Sequence, residues 1–276
     1  MNKNFDFTRL DCEERFGIAS AGMTAAGKFA SFIPGVILTA VFYGILSLLR
    51  LIWSNTVFIE MFFPGGAGNR TLIPALTVFC AMWCFSMIVM KRSKIRVQQK
   101  LFKALMALPT VAERVEFVGQ NVVDKNEFAA AKILMQSQAM EAKNLADSEK
   151  TLLIDSFIGD LEKASDSSFI NISAFIWAIP VLGFIGTVLG LAKAVGNFGE
   201  LASANGGSGF QAVLPQVTGG LATAFETTLT ALSLALILQL LSSFIRHAEE
   251  LFLQQLKLLL NDTSENSDPD CETAGS

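Results

Sequence analysis

The chain has 276 residues, a formal charge of -4 and a pI near 5.2; 51% of it is hydrophobic, 17% is charged, 23 residues are Phe, and the mean hydropathy is +0.47. A soluble domain of this length is rarely so apolar, and the acidic balance gives no reason to expect nucleic-acid binding, which usually needs a basic patch. Cys12, Cys80, Cys84 and Cys271 imply no disulfide framework, and Cys80 with Cys84, one turn apart in an apolar run without His nearby, read as small packing residues rather than metal ligands.

Residues 1–32 carry mixed charge and precede a late apolar run, so they do not read as a signal peptide. With Phe5, Phe7, Phe16 and Phe29 they suit either an ordered cytoplasmic lead-in or a short helix lying on the membrane. The membrane hairpin of residues 33–90 starts with Ile33 to Trp53, long enough to cross a ~30 Å hydrocarbon layer at about 1.5 Å per residue, with Arg50 placed to snorkel. A loop at 54–70, with Pro64-Gly65-Gly66 as turn chemistry, leads to a second span from Thr71 to Met90. Lys91, Arg92, Lys94, Arg96, Lys100 and Lys103 follow at once, whereas the 54–70 loop holds only Glu60 and Arg70 as charges. The positive-inside rule therefore puts the segment after Met90, and with it both termini, in the cytoplasm.

Residues 91–168 are rich in Ala, Leu, Lys, Glu and Gln, and Phe128, Lys132, Met135 and Met140 stand among Ala-rich neighbours at helical spacing. They predict two to four cytoplasmic helices, some of them continuing the membrane helices, with Glu113, Arg114 and Glu116 on a solvated face.

The membrane returns over residues 169–245. A third span begins near Phe169 and contains Pro180, which removes a backbone donor and serves either as a hinge or as a packing feature. Beyond it Gly183, Gly186, Thr187, Gly190 and Ala194 recur at three-and-four spacing, giving one side of small residues against which another backbone can pack closely. Gly196 to Gln211 reads as a short outer turn. The fourth span, from about Ala212 to Ile245, carries Thr223, Glu226, Thr227, Thr230 and Ser233 on a single face. An acidic residue at a helix centre costs roughly 2.5–3.5 kcal/mol on insertion scales, so Glu226 should face protein or water and marks a functional site. Residues 246–276 form a cytoplasmic extension with Leu251, Leu256 and Leu259 against Glu249, Glu250 and Lys257, then a disordered tail from Asn261.

Gly183-Phe184-Ile185-Gly186-Thr187-Val188-Leu189-Gly190, followed by Gly220-Leu221-Ala222-Thr223-Ala224, resembles the paired signature of the MotA/TolQ/ExbB proton-channel family. The specific likeness covers about residues 175–245, and two spans before the cytoplasmic region are closer to the four-span MotA plan than to the three-span one. The resemblance implies an all-α polytopic protein of the bacterial inner membrane, with five copies around a dimer of a single-span MotB/ExbD/TolR-like partner whose membrane helix bears an Asp. Proton flow, or sodium flow in some members, moves that dimer relative to the ring. Carried over by motif, Thr187 and Thr223 are the hydroxyls facing the partner carboxylate; Glu226, Thr227 and Thr230 extend the ion path along the same stripe. A carboxylate at Glu226 departs from the family pattern, and stands either as a second relay group or as the partner of a basic residue. No Walker motif, nucleophile elbow or metal-ligand cluster points to an enzyme, and no cofactor beyond the transported ion is implied. The competing reading is a transport or scaffold bundle without motor coupling. Flagellar torque, gliding, outer-membrane energisation, envelope maintenance and phage defence all remain open, because the partner decides among them.

Overall fold

The computed structural model describes residues 28–52, 62–63, 72–122, 128–142, 147–203 and 207–265. The expectations for residues 1–27, for most of the 54–70 loop, for Cys12 and Cys271 and for the tail past Glu265 lie outside them. Six helices form among the described residues: α1 Lys28–Ile52, α2 Ile73–Met106, α3 Val111–Asn121, α4 Ala129–Ala142, α5 Asp147–Ser203 and α6 Gly207–Glu265. The all-α reading holds. Helices α1, α2, α5 and α6 are each long and apolar enough to cross a membrane.

The described residues divide into two compact units, one within 31–87 and 171–242, the other within 28–30, 88–170 and 243–265; α1, α2, α5 and α6 contribute to both. In the first unit α1 packs on α2 where Gly35 removes the side chain between them: a Cβ there would lie 2.9 Å from the Trp83 Cα. Around this contact Trp83 Nε1 donates to Ser31 Oγ at 3.2 Å and Ser86 Oγ donates to the Ser31 carbonyl at 3.1 Å. Cys84 is fully buried with its sulfur 3.8 Å from the Ile172 carbonyl, a packing role. Arg50 lies 5.4 Å from the centre of the Phe63 ring. Large apolar side chains are left bare on this unit, among them Leu51, Trp177, Phe184, Phe225 and Leu229. In water such a surface would be an aggregation liability; against lipid or other membrane helices it costs nothing.

The second unit has a soluble-type core of Leu101, Leu105, Val118, Ile133, Leu134, Leu161, Phe252 and Leu256. Buried Ala129, Ala130 and Ala131 bring the start of α4 close to its neighbours, and the first amide of that helix donates to Gln98 Oε1 at 3.1 Å. Thr110 caps α3, its hydroxyl accepting from the Glu113 amide at 3.4 Å.

Several expectations need correction. The described part of Gly196 to Gln211 is helical, since α5 runs on to Ser203 and α6 begins at Gly207. Glycine weakens a helix by only ~1 kcal/mol, less than the cost of leaving backbone groups unpaired in a low-dielectric setting. Arg114 is not solvated: it is buried, and its Nε donates to the Leu108 carbonyl at 3.0 Å, closing the turn before α3. Of the basic cluster after Met90, Lys91 and Lys94 are buried rather than facing water. The proposed polar edge of the C-terminal extension is also rotated. Ile245, Glu249, Phe252 and Leu256 form the buried stripe, while Leu251 is exposed. Glu249 can sit there because its carboxylate lies 2.7 Å from Lys91 Nζ, both side chains being 1% exposed. Lys91 also hydrogen-bonds Ser168 and lies 4.0 Å above the Phe169 ring. Helix α6 reaches Glu265, past the expected start of the tail.

Candidate functional site

The small residues of α5 are met by a matching row on α6. A Cβ built on Gly183 would lie 2.5 Å from the Ala231 Cβ, one on Gly186 would lie 2.7 Å from Thr227 Cβ and Oγ1, and one on Gly190 would lie 2.9 Å from the Ala224 amide and the Gly220 carbonyl. A Cβ on Gly220 would in turn lie 3.0 Å from the Gly190 carbonyl. The partners on α6 fall in reverse order as α5 advances, so the helices run antiparallel, and at Gly190 and Gly220 backbone meets backbone. These glycines of α5 thus meet α6 of the same chain. Pro180 does not interrupt α5, whose helix is continuous from Asp147 to Ser203; the missing amide leaves the Ile176 carbonyl without its usual helical donor.

Hydroxyls fill the seam that the glycines open. Thr187 Oγ1 and Thr228 Oγ1 are hydrogen-bonded to each other, with either able to donate. Thr187 Oγ1 is 3.1 Å from the Gly183 carbonyl and 3.3 Å from that of Ala224; Thr228 Oγ1 is 3.3 Å from both. Thr227 Oγ1 donates to the same Ala224 carbonyl at 2.9 Å. Both threonines reach both carbonyls, and each carbonyl keeps one lone pair beyond the one the helix uses. Whichever of Thr187 and Thr228 donates to the other, the acceptor can turn its own hydrogen to a carbonyl, so the pair can reverse its polarity.

Helix geometry separates the remaining polar residues into two flanks. Taking about 100° per residue, Gly220, Ala224, Thr227 and Ala231 cluster on the face toward α5, and Thr228 lies ~80° to one side of Gly220. Thr223, Thr230 and Glu226 lie roughly 60°, 80° and 120° to the other side. Thr223 and Thr230 are buried and donate to the Gly219 and Glu226 carbonyls at 2.9 and 2.8 Å; Glu226 is half-buried and Ser233 exposed. The structure thus unites Thr187 with Thr227 in the α5–α6 seam and leaves Thr223, Glu226 and Thr230 together on one side of α6. Thr228 was missed by the sequence reading because it falls outside the three-and-four stripe. The row of small residues at 220, 224 and 231 was the available signal for its neighbourhood.

Residues 125–257 match the model of the MotA/TolQ/ExbB proton channel family. The match contains the whole α5–α6 seam and reaches well before the motif pair, taking in α4 and the first part of α5. No curated protein and no solved structure matches the chain.

Proposed function

We propose, with residues 125–257 matching the MotA/TolQ/ExbB proton channel family, that this chain is the ring-forming subunit of an ion-driven membrane motor. Protons, or sodium ions, pass along the ring wall and move a dimer of a single-span partner bearing an intramembrane Asp. The observation that supports this most is the pair of hydroxyls, Thr187 and Thr228, held in the glycine-thinned seam between two spanning helices. On the other side of the seam α6 carries a polar flank of buried Thr223 and Thr230 with half-buried Glu226. On this reading Thr187, Thr223, Glu226 and Thr230 border the ion path, and Thr227, pressed against Gly186, sets the helix spacing on which the path depends. A hydroxyl accepts from a protonated carboxyl and donates to an ionised one, so it can hold both states of a partner Asp. Pro180, one residue after the buried Ile179, leaves a loosened carbonyl in α5 just before the seam and suits a hinge there.

The setting is the bacterial inner membrane, with both termini on the cytoplasmic side and five chains closing the ring. The bare apolar rows of α5 and α6, including Phe184, Val188, Phe225 and Leu229, supply surface for neighbouring copies and for the partner. Native mass spectrometry of the detergent-extracted protein, with and without a co-expressed single-span neighbour, tests the assembly. Five copies, alone or with two copies of the partner, are expected. A stable monomer or dimer that binds no partner overturns the motor and leaves the polar flank as helix glue or a solute path.

A further inference from the structure

Among the clefts that the described residues of the second unit form, two differ in the kind of charge they carry. One is lined by Glu162, Asp166 and Glu250 together with Arg246 and Lys257, and Lys257 Nζ is paired to Glu162 at 3.1 Å. Its charges compensate one another. The other, about 310 Å³, lies between α2 and the end of the fourth span and is lined by Arg92, Ile95, Arg96, Gln99, Phe244, Ile245 and Ala248. Among the described residues no carboxylate lines it.

Arg92 and Arg96 stand one turn apart on the same face of α2, both exposed, and neither is engaged by a hydrogen bond or ion pair among the described residues. Facing them is an apolar wall: Ile95 and Ile245 are buried, while Phe244, 70% exposed, stands at the mouth. The cleft begins just past Met90, where the second span leaves the hydrocarbon layer. Two guanidinium forks beside an apolar wall at that depth fit an anion that carries its own hydrocarbon. Guanidinium planes bind phosphate oxygens two at a time, and the cleft is within the size range of small-ligand sites, about 300–1,000 Å³.

We infer that this cleft is a binding site for the phosphate headgroup of an anionic phospholipid, held by Arg92 and Arg96 with its first acyl carbons against Phe244 and Ile245. The inference needs the membrane spans but not the motor, so it stands or falls separately from the ring. Charge complementarity favours lipid over a neighbouring protein chain, because two cations without a partner among the described residues meet the negatively charged leaflet that lies at this level.

The test uses the full chain, extracted and delipidated in a non-ionic detergent, then titrated with phosphatidylglycerol or phosphatidylcholine while retained lipid is counted by native mass spectrometry. Phosphatidylglycerol is expected to be retained in preference. Arg92→Gln with Arg96→Gln should lower that preference by about thirtyfold, from about fivefold for each cation at an anionic surface. Lys100→Gln with Lys103→Gln, exposed on the following turns, should leave it unchanged. Ala248→Trp, which closes the cleft from α6 while keeping both guanidiniums, should reproduce the loss. Equal retention of the two lipids, an unaltered preference in the arginine or Ala248→Trp variants, or displacement of bound lipid by an equal concentration of inorganic phosphate would each overturn the assignment. So would cross-linking from position 248 to a second copy of the chain, which would make the cleft a subunit seat.

Discussion

Replacing Gly183 by Ala probes the pairing of α5 with α6 most directly. A Cβ at 183 lies 2.5 Å from the Ala231 Cβ, whereas its other neighbours, the Thr227 carbonyl and Thr228 Cα, are at an ordinary 3.4 Å. Carbon atoms settle at about 3.5–4.0 Å, so the two methyls must part by about 1 Å. Neither has a rotamer to escape into, and the helices themselves must move. Overpacking of this kind costs roughly 1–3 kcal/mol, against which the helix gains ~1 kcal/mol from Gly→Ala, leaving the single variant between neutral and about 2 kcal/mol less stable. Ala231→Gly, at a fully buried position, loses ~1 kcal/mol of helix propensity and the contacts of one methyl. Combined, the two substitutions carry one methyl across the same gap: propensity cancels, packing is restored and the overlap disappears. The coupling energy of the cycle is therefore expected at about -1 to -3 kcal/mol, measured by equilibrium unfolding in mixed micelles titrated with dodecyl sulfate. Gly219→Ala, where an added Cβ meets open space, serves as the control and should be neutral or mildly stabilising. Additive single effects, with a coupling inside about 0.5 kcal/mol, would refute this helix register.

Removing one partner of the buried Lys91–Glu249 pair leaves an uncompensated charge, so Glu249→Ala should destabilise by roughly 3–5 kcal/mol in the same titration, while Lys91→Met with Glu249→Met should recover most of that loss. A Glu249→Ala variant within about 1 kcal/mol of the parent would mean that the pair is open to water. Thr228→Val removes one interhelical hydroxyl, and the expected cost is ~0.6 kcal/mol and at most about 1.7, since membrane hydrogen bonds rarely contribute more. Thr223→Val should abolish ion flux into liposomes carrying the chain and its partner while the mass of the complex stays unchanged; loss of the assembled complex would mark Thr223 as structural.

The spans and the small-residue seam were legible because both rest on local periodicity. Apolar runs of span length and glycines three and four residues apart specify a face without knowledge of what it meets. The extent of the helices was less legible, because Gly196, Gly206, Gly207 and Gly209 are read as a break by propensity alone. Along most of that stretch the cost of unpaired backbone outweighs propensity, and α5 runs to Ser203 while α6 starts at Gly207. Arg114 and Glu249 were misplaced for a related reason. A charge is assigned to solvent unless its partner is known, and the partner of Lys91 lies more than 150 residues further along the chain. Once that pairing exists, Glu249 can occupy a core stripe between Ile245 and Phe252, and the amphipathic pattern seen without it points to the wrong edge.

The same limit explains why the polar stripe of α6 looked like one feature and is two. Sequence spacing groups Thr227 with Thr223, Glu226 and Thr230, but the distances around Gly186 turn Thr227 inward against α5, and Thr228, off the stripe, closes the contact with Thr187 from the far side. A ring wall on the proposed reading has to satisfy two demands that conflict in a single residue: hold its helices together, and offer a hydroxyl that an incoming carboxylate can take. Thr227 meets the first by packing against Gly186, and Thr228 by its bond to Thr187 across the seam. Thr223 and Thr230 meet the second, because each gives its proton to a carbonyl of its own helix, a bond that can be exchanged for a carboxylate without parting α5 from α6. Glu226, half-buried between them in sequence and on the same flank, is then positioned to feel the charge of whatever arrives there.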